Sequence, residues 1–361
     1  METADRKGIK ETLADYIRWR GDLSFDEAPF NVLDNLVFCQ LAYVDFGKVL
    51  KQMDTEGISL RKCNRIIEKE NSYDLRTLYG SYKEFFKKVC TSRRFADVEL
   101  RYYIDVFEEE KQVQFAAVEF MMPHRTSFVA FRGTDDSIVG WKEDFMLSFS
   151  RIPAQKLAEQ YLQEVVKFGR KYYVGGHSKG GNLAVYACAW LTSRKFSQVI
   201  GIYDNDGPGF CPEIFDMEKL KAVEDKVFRI LPEFCMIGKA YEYAFNNTVI
   251  VKSKNTAADQ HDMMSWLLDG MNLQKTDKHD RLSIWLTDTI MQWANDATFE
   301  ERKIFIDEFF AALAAGGAKT MQQVTGKGMI EVIKSMAAAS KTSKRLVKNL
   351  AEIAFSGEKK S

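Results

Sequence analysis

The chain lacks a charge imbalance. Its 361 residues include 51 lysines and arginines against 51 aspartates and glutamates, so the formal net charge is zero. A protein that binds nucleic acid or strongly acidic partners usually carries an excess of basic residues. We therefore expect no nucleic-acid partner.

Long apolar runs are also absent. No uninterrupted apolar stretch approaches the roughly 20 residues that a helix needs to cross a bilayer. The first stretch, METADRKGIKETLADYIRWRGD, is charged throughout and contains no apolar segment of a secretory signal. These features lead us to expect a soluble, cytoplasmic protein.

The cysteines form no CxxC pair, and no group of histidine, cysteine and carboxylate side chains has the spacing of a metal site. We therefore expect reduced thiols in the core and neither a metal nor another cofactor. The six cysteines are Cys39, Cys63, Cys90, Cys188, Cys211 and Cys235.

Hydrophobic periodicity divides the chain into three predicted regions. Residues 1–90 show helical spacing, and residues 276–361 do so again, with a capping box from Thr298 to Glu301. Residues 91–275 alternate between strand and helix patterns. This alternation predicts an α/β fold, of the α/β-hydrolase type, with a mostly parallel, doubly wound sheet and helical flanks.

Within the middle region, SFVAFRG has the short, nearly continuous apolar pattern of a strand that is buried on both faces, and KYYVGG is also predicted to be a strand. Between and after such strands, helices are expected at residues 151–169, 213–225 and 263–270. The last of these is the stretch MMSWLLDG.

One short motif indicates a reactive serine. GHSKG, residues 176–180, fits G-x-S-x-G and lies where a predicted strand becomes a predicted helix. In that setting the motif is typical of a nucleophile elbow, in which small neighbours allow a strained turn to hold one serine hydroxyl in the open. We therefore predict that Ser178 is a nucleophile, although an ordinary glycine turn would have the same letters.

A hydrolytic serine needs hydrogen-bond donors for the oxyanion of its tetrahedral intermediate. The backbone N–H of Lys179, directly after the serine, is one candidate. The other is Thr134, which follows the predicted strand SFVAFRG and offers both its N–H and its hydroxyl.

The base is sought among four histidines. His177 adjoins the serine and is expected to pack away from it, while His124 precedes the motif and His279 has the pattern of a solvated surface residue. His261 lies in a loop after the last predicted strand, where the chain order serine, acid, histidine places the base. It is the preferred candidate.

The acid has three candidates. Asp204 and Asp206 follow the strand after the elbow helix, and Glu233 follows the next strand. Each could reach a histidine on a neighbouring loop. We prefer Asp206, then Asp204, then Glu233, and turn formation alone would also explain the Asp-Asn-Asp-Gly cluster.

The strings FRGTDD, WKEDF, GHSKGGNLA and the late QHD together resemble the α/β-hydrolase superfamily. They are similar in particular to class 3 lipases and to an uncharacterised bacterial lipase-like group that shares GHSKGGNLA and DGPGF. The resemblance extends to about residue 275. It implies a serine hydrolase fold with Ser178 as nucleophile, His261 as base and Thr134 in the oxyanion hole.

Two features depart from the class 3 pattern. Those lipases usually carry an aspartate after the strand that corresponds to KVFRILP, where this chain has Glu233 and Cys235. The acid is therefore sought in DNDGPGF. Lys179 replaces the usual leucine, and its charge is expected either near the pocket, where it would favour a polar or anionic substrate, or in solvent.

The sequence thus predicts an esterase or lipase-like enzyme acting on a small ester or acyl-lipid substrate. The alternative is a catalytically weak or inactive hydrolase-like scaffold that binds a partner through its helical flanks. The last stretch, from Lys319, holds nine lysines and arginines against three glutamates. It could contact an anionic membrane surface, although a solvated helix face is the preferred explanation.

Overall fold

The fold is built on one large mixed sheet. A computed structural model of the chain describes residues 10–76, 82–110, 113–135, 142–143, 146–147, 150–315 and 338–357. The strands of this part are β1 (Ile58–Ser59), β2 (Glu99–Glu108), β3 (Val113–Met122), β4 (Thr126–Phe131), β5 (Lys171–His177), β6 (Val199–Asn205), β7 (Val227–Pro232), β8 (Thr248–Val251), β9 (Leu268–Asp269), β10 (Asn272–Leu273) and β11 (Lys275–Thr276).

The strand order of the large sheet follows the chain from β1 through β8 and ends with β11, while β9 and β10 form a separate two-stranded ribbon. Strands β4 to β8 are parallel to one another, and β1 to β4 and the β8–β11 pair are antiparallel. The predicted α/β class and its mostly parallel core are confirmed. The carboxyl ends of β4, β5 and β6 therefore lie side by side at one edge.

Helices cover both faces of the sheet. The α-helices of the described residues are α1 (Leu13–Arg20), α2 (Val32–Leu41), α3 (Leu60–Glu70), α4 (Lys83–Thr91), α5 (Pro153–Val165), α6 (Lys179–Ala189), α7 (Ser193–Phe196), α8 (Met217–Lys221), α9 (Arg281–Asp296), α10 (Phe299–Ala315) and α11 (Lys341–Gly357). Helix α2 packs on β4 and β5, while α5 and α6 pack together on the opposite face.

Helix α2 shows why the N-terminal region belongs against the sheet. Its N-cap, Asn31, accepts hydrogen bonds from the backbone N–H groups of Leu33 (2.8 Å) and Asp34 (3.4 Å), which satisfies two donors of the first turn. The helix that follows is buried almost all round, including its polar residues Asp34, Asn35 and Gln40.

A buried ion pair joins the first helices. The guanidinium of Arg94 donates to both carboxylate oxygens of Asp34, at 2.7 and 2.5 Å, and Tyr16 donates to the same carboxylate at 2.8 Å. Arg94 also donates to backbone carbonyls of the loop between α1 and α2. Those carbonyls belong to Leu23, Ser24, Ala28 and Pro29.

Some predicted elements differ from the structure. The stretch 263–270 is not a helix: a 3₁₀ turn at Met263–Ser265 leads into β9, because Trp266 donates its indole N–H to the carbonyl of Gln260 and Leu267 pairs with Lys252. The helix predicted at 213–225 shortens to α8 and a 3₁₀ turn, and the one predicted at 151–169 ends at Val165.

The C-terminal region is helical where it is described. The predicted capping box is confirmed, since Thr298 N–H donates to Glu301 (3.0 Å) and Glu301 N–H donates to the Thr298 hydroxyl (3.3 Å). Residues 319–337 and 358–361 of the basic tail lie outside the described residues. None of the helices seen in the rest of the chain is both long and apolar enough to cross a bilayer. The region boundaries at residues 90 and 275 stay predictions.

Removal of the Asp34 carboxylate tests the buried pair. We expect Asp34→Ala to lower the free energy of unfolding by about 3–5 kcal/mol, because it leaves the buried Arg94 guanidinium without its counter-charge. Urea denaturation followed by circular dichroism measures the change. The control is Asp97→Ala, which breaks the solvent-exposed pair with Arg61 and should leave stability almost unchanged. Equal effects of the two substitutions would contradict this account.

Candidate active site

Ser178 occupies a strained turn between β5 and α6. Its φ of 57° and ψ of −131° lie in a region that residues with a side chain rarely adopt. The surroundings fix this conformation. The Ser178 N–H donates to the carbonyl of Asn205 at 2.9 Å, and the N–H of Gly181 donates to the Ser178 carbonyl at 2.9 Å.

Two glycines make this turn possible. A Cβ added at Gly176 would lie 2.2 Å from the carbonyl carbon of Gly180, and one added at Gly180 would lie 2.2 Å from the carbonyl oxygen of Phe131. Neither site has room for a side chain. The small neighbours that the sequence predicted are therefore required by contact between the elbow and the end of β4.

The serine is more enclosed than the sequence suggested. Ser178 is only 8% exposed, so the expectation of a hydroxyl held in the open is wrong. The loop after β4 and the loop that carries His261 both pack around the elbow.

His261 and Asp206 form a hydrogen-bonded pair. His261 ends a 3₁₀ helix, Ala257–His261, and its Nδ1 lies 2.6 Å from Oδ2 of Asp206. An ionised carboxylate only accepts hydrogen bonds, so Nδ1 carries the proton of the neutral ring and Nε2 is left as the basic nitrogen. This is the tautomer that a general base requires.

The second oxygen of Asp206 is also held. Oδ1 accepts from the N–H of Gly238 and from the thiol of Cys235, each at 3.1 Å. Burial raises the pKa of Cys235 well above its usual range, so the thiol keeps the proton that it donates. The Asp206 N–H in turn donates to the carbonyl of Ile230 at 2.8 Å. The sequence had shown Cys235 only as a departure from a family pattern, and its contact with Asp206 was missed.

The other two candidate carboxylates face elsewhere. Asp204 lies 3.1 Å from Arg229 and accepts from the N–H of Gly207 at 2.9 Å, and burial raises its pKa to about 6 despite the nearby guanidinium. Glu233 contributes its backbone, which pairs with Val251 and with the start of α9. Among the three, Asp206 is the carboxylate bonded to His261.

The predicted oxyanion donors lie at the start of α6 and in the loop after β4. Lys179 is the first residue of α6, where a backbone N–H has no partner within the helix. Thr134 is buried just beyond β4. The residue before it, Gly133, packs so closely on the elbow that an added Cβ would lie 2.5 Å from the carbonyl oxygen of His177. Their role toward an oxyanion stays a prediction.

The side chain of Lys179 does not behave as expected. Its ammonium is fully buried and donates to Glu143 at 2.8 Å and to the side-chain and backbone oxygens of Gln114 at 2.6 and 2.9 Å. A charge in solvent is therefore excluded, and the buried pair with Glu143 was not predicted. A buried ammonium requires an anion beside it, and Glu143 supplies one from a distant part of the chain.

The other three histidines differ in how far they are buried. His124 is exposed and paired with Asp26. His279, expected on the surface, is instead half-buried, with Nδ1 3.2 Å from the carbonyl oxygen of Pro232. His177 is buried, and the centroid of its ring lies 4.5 Å from that of His261.

Comparison with known proteins gives one family match. The family model described as Mbeg1-like matches residues 89–311, which include strands β2 to β11, the elbow and the His261 loop. No curated protein matches the chain significantly.

Two solved structures are similar to part of the chain. A lipase called M37 has 17% identity and a TM-score of 0.37 over 57% of this chain and 68% of that one. A mutant form of MDLA from Penicillium cyclopium has 16% identity and a TM-score of 0.36 over 56% of this chain and 76% of that one.

Substitution of Lys179 tests the buried pair beside the elbow. We expect Lys179→Met to destabilise the protein by about 3–5 kcal/mol, because it leaves the Glu143 carboxylate buried without its counter-charge. The double substitution Lys179→Met with Glu143→Met should recover much of that loss. Urea denaturation of the three proteins measures the coupling. Additive losses would show that Lys179 and Glu143 do not depend on each other.

Proposed function

We propose that this chain, which belongs to the Mbeg1-like family and has a lipase-like α/β-hydrolase scaffold, is a serine hydrolase that cleaves carboxylic esters. The observation that carries the proposal is the hydrogen bond between His261 Nδ1 and Asp206. The loop of His261 contacts His177, the residue directly before Ser178 in the strained strand-to-helix turn. An ordinary glycine turn would require neither the oriented imidazole of His261 nor the buried carboxylate of Asp206.

The proposed first step is acylation of the serine. Ser178 Oγ attacks the ester carbonyl carbon while its proton moves to Nε2 of His261. The carbonyl oxygen becomes an oxyanion, which the N–H of Lys179 and the donors of Thr134 stabilise. The bond to the alkoxy oxygen then breaks, and His261 gives its proton to the departing alcohol.

Water releases the acyl group in the second step. His261 takes a proton from the water as its oxygen bonds to the acyl carbon, and returns that proton to Ser178 Oγ as the acyl–enzyme bond breaks. The products are a carboxylic acid and the free serine. In both steps the carboxylate of Asp206 stabilises the transient imidazolium, since it lies against the opposite nitrogen of the ring.

The substrate class is proposed to be acyl or lipid esters. The resemblance to lipase-like proteins supports this class. Contact of the basic tail with a membrane surface and a cytoplasmic location stay predictions.

A panel of p-nitrophenyl esters of rising acyl length tests both the activity and the substrate class. We expect turnover that extends to medium or long chains and is lost in Ser178→Ala, because that variant has no nucleophile. Release of p-nitrophenol is followed by absorbance. Turnover of only the shortest esters would contradict the lipid assignment. Failure of the folded wild type to hydrolyse any ester would favour the alternative, a hydrolase-like scaffold.

Substitution of the acid tests its assignment. We expect Asp206→Asn to lower kcat by about 10,000-fold, because an amide in place of the carboxylate favours the wrong tautomer of His261 and no longer stabilises its cation. The matched control, Glu233→Gln, should keep nearly full activity, since that side chain makes no bond to His261 within the described residues. A larger loss in the Glu233 variant would reassign the acid.

A further inference from the structure

The ring of His177 bridges two parts of the site. His177 is the last residue of β5 and is almost fully buried. Its Nε2 lies 2.7 Å from the backbone carbonyl oxygen of His261. Its Nδ1 lies 2.9 Å from the hydroxyl oxygen of Tyr43, which is anchored just beyond α2.

The partners determine which nitrogen carries the proton. A carbonyl oxygen can only accept a hydrogen bond, so Nε2 of His177 must be the donor. Nδ1 of the neutral ring is then an acceptor, and the Tyr43 hydroxyl donates to it. The neutral state agrees with the surroundings, because burial, together with the nearby His261, lowers the pKa of His177 far below its usual range.

This bridge connects the nucleophile to the base. His177 and Ser178 are consecutive, so the bond to the His261 carbonyl joins the elbow directly to the loop that carries the base. Tyr43 brings the loop after β4 into the same contact. A Cβ added at Gly133 in that loop would lie 2.2 Å from the hydroxyl oxygen of Tyr43. The elbow, the base loop and the loop of Thr134 thus meet around one imidazole.

We propose that His177, oriented by Tyr43, is a positioning residue that holds the backbone of His261 at a fixed distance from Ser178. This inference rests on the proposed serine hydrolase function. Asp206 restrains the ring of His261, whereas His177 restrains its backbone, so the two contacts are complementary. Displacement of a catalytic base by about 1 Å can lower the rate by two orders of magnitude. Loss of the His177 contact is therefore expected to lower the rate by up to that factor.

Two amide substitutions separate the halves of the bridge. The amide nitrogen of a glutamine reaches the place of Nε2, whereas that of an asparagine reaches only the place of Nδ1. We expect His177→Gln to keep kcat within about threefold of wild type and His177→Asn to lower it about 10- to 100-fold with KM nearly unchanged. The control, His124→Gln, removes an exposed histidine and should not change either constant.

The results discriminate between the two proposals. Equal kcat values for His177→Asn and wild type, or a change in KM alone, would overturn the positioning role while ester hydrolysis stands. A wild type that hydrolyses no ester overturns the hydrolase function, and the positioning role falls with it. Thermal melts of each variant establish that it is folded.

A spectroscopic measurement tests the bridge without turnover. In protein labelled with ¹⁵N-histidine, the His177 signals, assigned by their loss in His177→Gln, should report a neutral ring protonated at Nε2 at neutral pH. Tyr43→Phe should shift the Nδ1 signal of His177, because it removes the donor to that nitrogen. A cationic ring, or a ring protonated at Nδ1, would overturn the inference even if His177→Asn were too unstable to assay.

Discussion

The backbone conformation of Ser178 is the constraint on which the rest of the site depends. A residue with a side chain at this φ and ψ costs about 1–3 kcal/mol, and it persists only where its neighbours over-determine it. Here the carbonyl of Asn205 in β6 accepts the Ser178 N–H. Gly176 packs directly against Gly180, and Gly180 packs against the end of β4. The same turn starts α6, which places the Lys179 N–H beside the serine.

Buried charges around this turn are paired with one another. Lys179 is bound to Glu143, and Arg229 lies against Asp204. Arg229 also donates to the carbonyls of Gly207 and Gly238, at 3.0 and 2.5 Å. Those glycines belong to the two loops that surround Asp206, so this second pair fixes the support of the acid. Within the described part of the chain, the carboxylate of Asp206 itself has no ion pair with Arg229 and binds His261 instead.

The sequence was informative wherever a local pattern determines the structure. Short apolar runs located strands of the parallel core, and glycine spacing around Ser178 located the elbow, because both patterns arise from neighbouring residues. Chain order alone pointed to His261. Contacts between distant residues were not accessible in this way. The burial of Lys179 depends on Glu143, and the helix expected at 263–270 was replaced because Trp266 and Leu267 bond to residues earlier in the chain.

The role of His177 shows the same limit. Its position next to the serine was visible, but its partners lie 134 and 84 residues away in the chain. No spacing rule connects such residues, and the sequence therefore suggested only packing. The thiol of Cys235 is similar, since its contact with Asp206 exists only because β6 and β7 are neighbours in the sheet.

The most direct test of the central claim is mass spectrometry of the intact protein and its peptides after treatment with a fluorophosphonate. Such a probe phosphonylates a serine only when the residue is activated as a nucleophile. The account predicts one adduct per chain, located on the peptide that contains Ser178. Unmodified Ser178 in a folded protein, or an adduct on another serine, would contradict it.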